Sequence, residues 1–116
     1  MDVTNLETIA SEAELNRRGR VLASIGEVNV CVSRFSKHPR WEIHPHGEEV
    51  LVGIAGELSL IILDAARPKT VVLKPGDVVV IPQNTWHSPI PRGEVSVLNM
   101  GHYAGTLVSS NDDPRL

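Results

Sequence analysis

The sequence predicts an all-β fold, an antiparallel barrel or sandwich that carries a short N-terminal arm or helix. From residue 21 onward, short apolar runs alternate with turn signals. Residues 28–35 alternate between apolar and polar side chains with a period of two, which is typical of a half-buried strand. At least seven short strand candidates follow one another closely, with almost no helical pattern between them, and this arrangement favours an antiparallel barrel or sandwich.

The first part of the chain differs in pattern from the rest. Residues 6–15 place apolar side chains near helical spacing, which predicts a short helix or a loosely docked arm. Farther along, residues 50–55 and 58–63 are two apolar runs broken at Gly56 and Glu57. This break predicts a β-hairpin.

The remaining strand candidates are also separated by turn residues. Residues 70–73 and 78–81 flank Pro75-Gly76, a pair that predicts a type II turn. Residues 86–90 and 94–100 are the last candidates, and the polar end of the chain is expected to fray. Three parts are therefore expected: an N-terminal arm at 1–20, a barrel at 21–108 and a polar tail at 109–116.

Composition and charge exclude several classes of protein. A chain of 116 residues is long enough for one domain with one core, and 41% hydrophobic with 22% charged residues is ordinary for a soluble protein. A net charge of −3 gives no electrostatic basis for binding nucleic acid or an anionic membrane. Cys31 is the single cysteine, and the first residues lack the basic and apolar regions of a signal peptide. We expect a cytoplasmic protein without a membrane span.

Two short segments carry the residues that predict chemistry. His44 and His46 lie one residue apart in the first segment, and a carboxylate follows within three residues. His87 ends the second segment, so three of the five histidines fall in these two places. Side chains at i and i+2 of a strand share a face, so His44 and His46 could bind one ion. A carboxylate would complete a mixed nitrogen and oxygen shell suited to a divalent metal.

The residue pattern leaves two carboxylates open for this role. On an uninterrupted strand, Glu48 would share the face of the two histidines and Glu49 would point away. Gly47 permits a bulge or a tight turn, which would reverse that alternation in favour of Glu49.

With these residues in place, the chain from about residue 28 to residue 101 resembles the cupins. The first cupin motif is HxH, a short spacer, a glutamate, six residues and a glycine, here His44, His46, Glu49 and Gly56. The second motif is a glycine, five residues and Pro-x-Gly-x-x-His, here Gly76, Pro82, Asn84 and His87. The six-residue interval favours Glu49 over Glu48. The spacer before it, however, has two residues instead of the usual three or four, and Asn84 replaces a glycine.

The resemblance implies a small jelly-roll barrel with one divalent transition metal. His44, His46, His87 and Glu49 would be its ligands, and Fe, Mn, Ni, Zn and Cu are not distinguished. The function implied is a metal-dependent enzyme for a small polar metabolite, of the dioxygenase, isomerase or epimerase, or lyase class. The alternative is a non-catalytic binding or sensor module that works with a separate partner.

Four further residues are candidates for the walls of the pocket: Trp41, Trp86, Gln83 and His102. They lie beside the two motifs or at the end of the last strand candidate. Aromatic residues make up only 3% of the chain, so a small polar or aliphatic ligand is favoured over a large aromatic one.

The N-terminal arm also predicts self-association. Its apolar face has no partner nearby in the sequence, and a short amphipathic segment is only marginally stable alone. We therefore expect a homodimer to which residues 1–20 contribute, with exposed sheet edges covered at the interface.

Overall fold

Strands make up most of the fold. The structure is a computed structural model that describes residues 2–17, 19–64 and 67–116. Within these ranges its elements are α1 (Leu6–Glu12), β1 (Arg20–Ile25), β2 (Val28–Phe35), β3 (Trp41–Ile43), β4 (Glu49–Leu63), β5 (Pro68–Leu73), β6 (Val78–Ile81), β7 (His87–Gly101) and β8 (Leu107–Ser109). The pairings between these strands are antiparallel, which confirms the predicted all-β class.

The two longest strands organise the barrel. β4 and β7 each have 15 residues and pair with each other from Val50↔Met100 to Ile62↔His87. β2 lies on the other side of β7 and carries β1 at its outer edge, while β5 and β6 pair with the two halves of β4. The start of β7 also pairs with β3, and β3 pairs with β8. This topology brings the beginnings of β4 and β7 close to β3.

The predicted hairpin at 56–57 and the predicted separation of residues 86–90 from 94–100 were wrong, because β4 and β7 each continue through these positions. The β4–β7 register shifts between Gly53 and Ala55 and again between Ala55 and Glu57, so the strand bends without reversing. Gly56 has φ 77°, and a Cβ there would lie 2.5 Å from the carbonyl oxygen of Glu94. A glycine at a strand bulge and a glycine in a hairpin give the same local sequence signal.

The predicted type II turn is confirmed. Gly76 has φ 89°, and the Asp77 amide donates to the Lys74 carbonyl at 2.9 Å, as a type II turn requires. Asn84 has φ 55°, the left-handed conformation that asparagine tolerates better than most residues.

An aliphatic core fills the barrel between β4, β5, β6 and β7. Its buried members are Leu51, Leu58, Leu60, Ile62, Leu73, Ile81, Val95 and Val97. Such a core agrees with the low aromatic content, because branched aliphatic side chains supply the volume.

The N-terminal helix packs on its own barrel, so its apolar face finds a partner within the chain, although not one nearby in the sequence. The Asn5 side chain caps α1 by accepting from the Thr8 amide at 3.0 Å. Ile9 and Ala10 are buried against Val32 of β2. The partner is distant in sequence, which is why local patterning could not find it. No helix in the described ranges is long and apolar enough to cross a membrane.

Candidate metal centre

Four side chains meet where β3, β4 and β7 come together. Glu42, His44, Glu49 and His87 each offer a ligand atom, and these atoms all lie within 4.8 Å of one another. Glu42 is in β3 and pairs directly with His87 at the start of β7, while His44 follows β3 and Glu49 begins β4. His44, Glu49 and His87 are buried, and Glu42 is half-buried.

The nitrogen and oxygen atoms alternate around one small space. His87 Nε2 lies 3.1 Å from Glu42 Oε1 and 3.4 Å from Glu49 Oε1. His44 Nε2 lies 3.2 Å from Glu49 Oε1 and 3.5 Å from Glu42 Oε1. The same carboxylate oxygens therefore face both imidazoles.

Hydrogen bonds outside the cluster fix the proton on the far nitrogen of each ring. Thr106 donates its hydroxyl proton to the Tyr103 carbonyl at 2.8 Å, so it accepts from His44 Nδ1, also at 2.8 Å. His87 Nδ1 lies 3.0 Å from the Thr85 carbonyl, which can only accept. When the rings are neutral, both Nε2 lone pairs consequently point into the cluster, as metal ligation requires.

Glu49 is held by a chain of polar side chains. Tyr103 donates its hydroxyl proton to Glu49 Oε2 at 2.7 Å, and Asn99 Nδ2 donates to the Tyr103 oxygen at 2.9 Å. Ser33 in turn donates to Asn99 Oδ1 at 2.8 Å. This chain occupies Oε2 and leaves Oε1 directed at the cluster.

The four groups perturb one another strongly. Burial disfavours both imidazolium ions, but contacts with Glu42 and Glu49 outweigh it and raise the pKa of His44 to about 9 and the pKa of His87 to about 9. Burial also disfavours the carboxylates, yet the two imidazoles lower the pKa of both Glu42 and Glu49. Burial and the charge of Glu49 raise the pKa of Tyr103, so its phenol remains a donor at neutral pH.

This donor set fits a divalent cation. His44 Nε2 is buried and finds no hydrogen bond of good geometry among the described residues, although two carboxylates lie within 3.5 Å. The buried carboxylate of Glu49 and the half-buried carboxylate of Glu42 need compensating positive charge, either from imidazole protons or from a metal ion. A cation between the four atoms would satisfy His44 Nε2 and neutralise both carboxylates.

A cavity of about 790 Å³ adjoins the cluster inside the barrel. Glu42, His44 and Glu49 contribute to its lining, together with apolar side chains such as Leu51 and Val97. Its volume lies within the range of small-molecule sites. A ligand in this cavity would lie beside the four-residue cluster.

The structure brings together three of the four predicted ligands and places the fourth outside. His44, Glu49 and His87 meet, and Glu48 is exposed. His46 is also exposed, and its ring centroid lies 5.0 Å from that of His102. The physical reason is that β3 ends at Ile43 and the chain turns directly after His44, so the predicted i, i+2 alternation stops before His46.

Glu42 is the residue that sequence reasoning missed, although two signals could have found it. Glu42 and His44 are themselves an i, i+2 pair that shares a face. Counted from this pair, the spacer to Glu49 has four residues, the usual cupin length. Glu42 thus takes the place of the first histidine of the motif, and the short spacer is explained.

The four pocket candidates lie apart from the cavity, whose lining among the described residues does not include them. Trp41 is buried, Trp86 is half-buried and His102 lies beside His46. Gln83 is exposed, and its Nε2 donates to the Pro45 carbonyl at 2.9 Å, which braces the turn after His44.

Comparisons with known proteins agree with this fold. The sequence matches the cupin domain family Cupin_2 over residues 34–101. A Bacillus subtilis (strain 168) protein, YdbB, is 29% identical over 96 residues, which are 83% of this chain and 80% of YdbB. A cupin-2 domain protein of Shewanella frigidimarina superposes with a TM-score of 0.73 at 21% identity, covering 85% of this chain and 93% of the other. Hydroquinone 1,2-dioxygenase from Sphingomonas superposes with a TM-score of 0.67 at 13% identity, covering 82% and 70%. At such identities, the structural likeness shows the fold alone.

Proposed function

This chain belongs to the cupin family, and we propose that it is a metal-dependent enzyme acting on a small molecule in the barrel cavity. The observation that carries the proposal is the convergence of two imidazole nitrogens and two carboxylate oxygens beside that cavity. Buried groups with strongly shifted pKa values in a cleft are characteristic of functional sites.

Glu42, His44, Glu49 and His87 would hold one divalent ion. Carboxylate oxygens favour harder ions such as Mn²⁺, and imidazoles with carboxylates also suit Fe²⁺, so this donor set favours iron or manganese. When bound, the ion supplies Lewis-acid chemistry and, if it is iron, redox chemistry. Among the three candidate reaction classes, an oxygen-dependent oxidoreductase has most support, because non-haem iron oxygenases use histidine and carboxylate ligands.

The surrounding residues orient the side chains that would hold the ion. Thr106 and the Thr85 carbonyl keep the far ring nitrogens protonated, which orients both Nε2 atoms. Tyr103 orients Glu49, and apolar side chains such as Leu51 line the cavity beside the cluster. Substrate is consequently bound next to donors whose positions are already fixed.

Metal content tests the proposal. Protein purified without an affinity tag or added metal is analysed by elemental mass spectrometry, before and after treatment with a chelator and reloading with Fe²⁺ or Mn²⁺. We expect about one equivalent of metal per chain, with a raised melting temperature that chelation reverses. Equal metal content in the wild type and in a His44→Ala/His87→Ala variant would overturn the assignment.

A second candidate is a non-catalytic, metal-free binding module. The contacts of 3.1–3.5 Å between imidazoles and carboxylates favour it, because protonated histidines would compensate the buried charges without a metal. A melting temperature that responds to small organic ligands but not to Fe²⁺, Mn²⁺ or chelator would select this alternative. Either function is compatible with the homodimer that we also propose.

A further inference from the structure

We infer that the cavity selects small organic anions, with a carboxylate at a basic rim formed by Arg17 and Lys37 and an apolar body against the barrel wall. This inference rests on the proposed metal site and names the substrate class for it. Three observations support it: the charges of the cavity lining, the hydrogen bonds that join the two rim segments, and the apolar wall between the rim and the cluster.

The charged residues of the lining form two groups, a floor at Glu42 and Glu49 beside the cluster and an exposed rim at Arg17 and Lys37. Among the described residues that line the cavity, Glu42 and Glu49 are the carboxylates, while Arg17 and Lys37 are the lysine and arginine cations. A divalent ion between the carboxylates leaves the floor neutral, so the two rim cations decide the sign of the cavity. The lining is then positive although the whole chain carries a net charge of −3. A positive cleft attracts anions.

Because the floor is neutral, the rim is the source of long-range attraction for an anion. A centre with three histidines and one carboxylate would keep one positive charge when it holds a divalent ion. Here Glu42 replaces one histidine, and that residual charge disappears. Apart from direct coordination to the ion, electrostatic attraction for an anion consequently comes from Arg17 and Lys37.

Hydrogen bonds join the two segments that carry the rim cations. The Asn16 amide donates to the Arg34 carbonyl at 2.9 Å. The Asn16 side-chain oxygen accepts from the amides of Ser36 at 2.8 Å and Lys37 at 3.1 Å. Arg17 directly follows Asn16, so both cations lie on one braced rim.

The rim cations are accessible to a ligand. Arg17 contacts Glu14 at 3.9 Å, but both side chains are more than 75% exposed (76% and 81%), and such a pair is weak. Lys37 is exposed while it lines the same cavity. A carboxylate at the rim therefore competes with little more than water.

The wall between rim and floor is apolar. Phe35, Leu51, Leu58, Pro89 and Val97 contribute to it. An inorganic anion would leave this surface in contact with water, whereas an organic acid with an aliphatic body would cover it. The favoured ligand is thus a small organic carboxylate.

Binding measurements on the manganese-loaded protein test the inference. Elemental analysis first establishes the Mn²⁺ content. Isothermal titration calorimetry then compares straight-chain carboxylates from acetate to hexanoate with their primary amides, and with inorganic phosphate. We expect at least one acid to bind about tenfold more tightly than its amide and than phosphate, because two exposed charge contacts each contribute a factor of a few.

Variants separate the rim from direct binding to the metal. An Arg17→Gln/Lys37→Gln double variant should lose about tenfold in affinity for that acid, with its amide affinity and Mn²⁺ content unchanged. Lys69→Gln, an exposed cation on β5, is the matched control and should alter neither. The inference is overturned if no acid exceeds its amide, if phosphate binds equally well, or if the double variant keeps its affinity for the acid. Failure to load both Mn²⁺ and Fe²⁺ would instead refute the proposed function.

Discussion

Glu42 lies directly opposite His87 in the β3–β7 pairing, and its Oε1 atom is 3.1 Å from His87 Nε2. The second carboxylate oxygen, Oε2, lies 3.5 Å from His38 Nε2 at the cavity. Because backbone pairing fixes the Cα positions of Glu42 and His87, the carboxylate is placed as firmly as the imidazole. Glu42 thus lies between His87 of the cluster and His38, which also lines the cavity.

The first prediction separates Glu42 from His46 as a metal ligand. Glu42→Gln should weaken Mn²⁺ binding by about 100-fold or more, because even the loss of an outer-shell partner costs 10–100-fold. His46→Ala should leave the affinity nearly unchanged, since His46 lies outside the cluster. Competition with a fluorescent chelator gives the affinities, and Glu48→Gln is the exposed carboxylate control. The opposite ranking of Glu42 and His46 would restore the three-histidine assignment.

The sequence could predict the strands and most of the cluster, because both depend on local patterns. Val28–Phe35 forms β2 as its alternation indicates, and two motif histidines with Glu49 lie together. Glu42 was missed because the HxH pattern draws attention to His46, while the turn after His44 depends on contacts such as Gln83 with Pro45. Long-range contacts of this kind leave little signal in a local pattern.

The docking of α1 is a second feature that local sequence patterns could not predict. Its spacing and its cap at Asn5 are local, whereas its docking partner Val32 is more than twenty residues away. The bends of β4 and β7 were missed for a related reason. A glycine such as Gly56 suits a hairpin and a bulge equally, and only the pairing between the two strands decides between them.

The second prediction concerns the polar chain behind Glu49. Tyr103→Phe removes the donor to Glu49 Oε2 and the acceptor for Asn99 Nδ2. It should weaken metal binding by about 10-fold and destabilise the metal-free protein by about 1–3 kcal/mol, because buried polar atoms lose partners. Urea unfolding and chelator competition measure the two effects. A variant whose urea midpoint and metal affinity both equal the wild-type values would show that the position of Glu49 does not depend on Tyr103.

The third prediction is a pH dependence with opposite signs for the metal-free and metal-bound protein. The pKa values of His44 and His87 are raised from 6.5 to about 9 by Glu42 and Glu49 despite burial. In the metal-free protein their stabilisation is complete below pH 6.5 and is lost as the pH rises through about 9. The lowered pKa values of Glu42 and Glu49 contribute stability above 4.5, which is lost as the pH falls through their folded values.

Metal affinity should instead increase between these same pH values, because protons leave the nitrogens that bind the ion. Urea midpoints of chelator-treated protein at pH 6.5 and at about pH 9.5 measure the pH dependence of stability. Chelator competition at the same pH values measures the pH dependence of metal affinity. Glu42→Gln should reduce the pH dependence of stability, since it removes one cause of the raised pKa values. A metal-free protein equally stable at both pH values would contradict the assigned ion pairs.

The fourth prediction concerns the bend in β4. Gly56→Ala should destabilise the protein by about 2–4 kcal/mol, because a positive φ is strained for alanine and its Cβ would meet a backbone carbonyl. Gly47→Ala is the matched control, since a Cβ there would lie 3.8 Å from its nearest neighbour, an ordinary contact. Its effect should stay within about 0.5 kcal/mol. Equal urea midpoints for the two variants would refute the role of Gly56.

The last prediction is a homodimer to which the N-terminal segment contributes. β1 ends the strand order β1-β2-β7-β3-β8 and exposes Val21, Leu22 and Ile25 to 52%, 40% and 70%. An apolar edge strand with free backbone groups favours pairing with another strand. Leu6 and Leu15 of the N-terminal segment are also exposed, at 36% and 40%, and could extend such an interface.

Light scattering tests both parts of this prediction. The full chain should have the mass of a dimer, and Ile25→Lys should shift it toward the monomer because the charge would be buried at the interface. Val72→Lys, on β5 away from that edge, is the control and should remain dimeric. A chain truncated to begin at Val21 should associate more weakly than the full chain. A monomeric full chain would refute the dimer, whereas an undiminished dimer after truncation would refute only the contribution of residues 1–20.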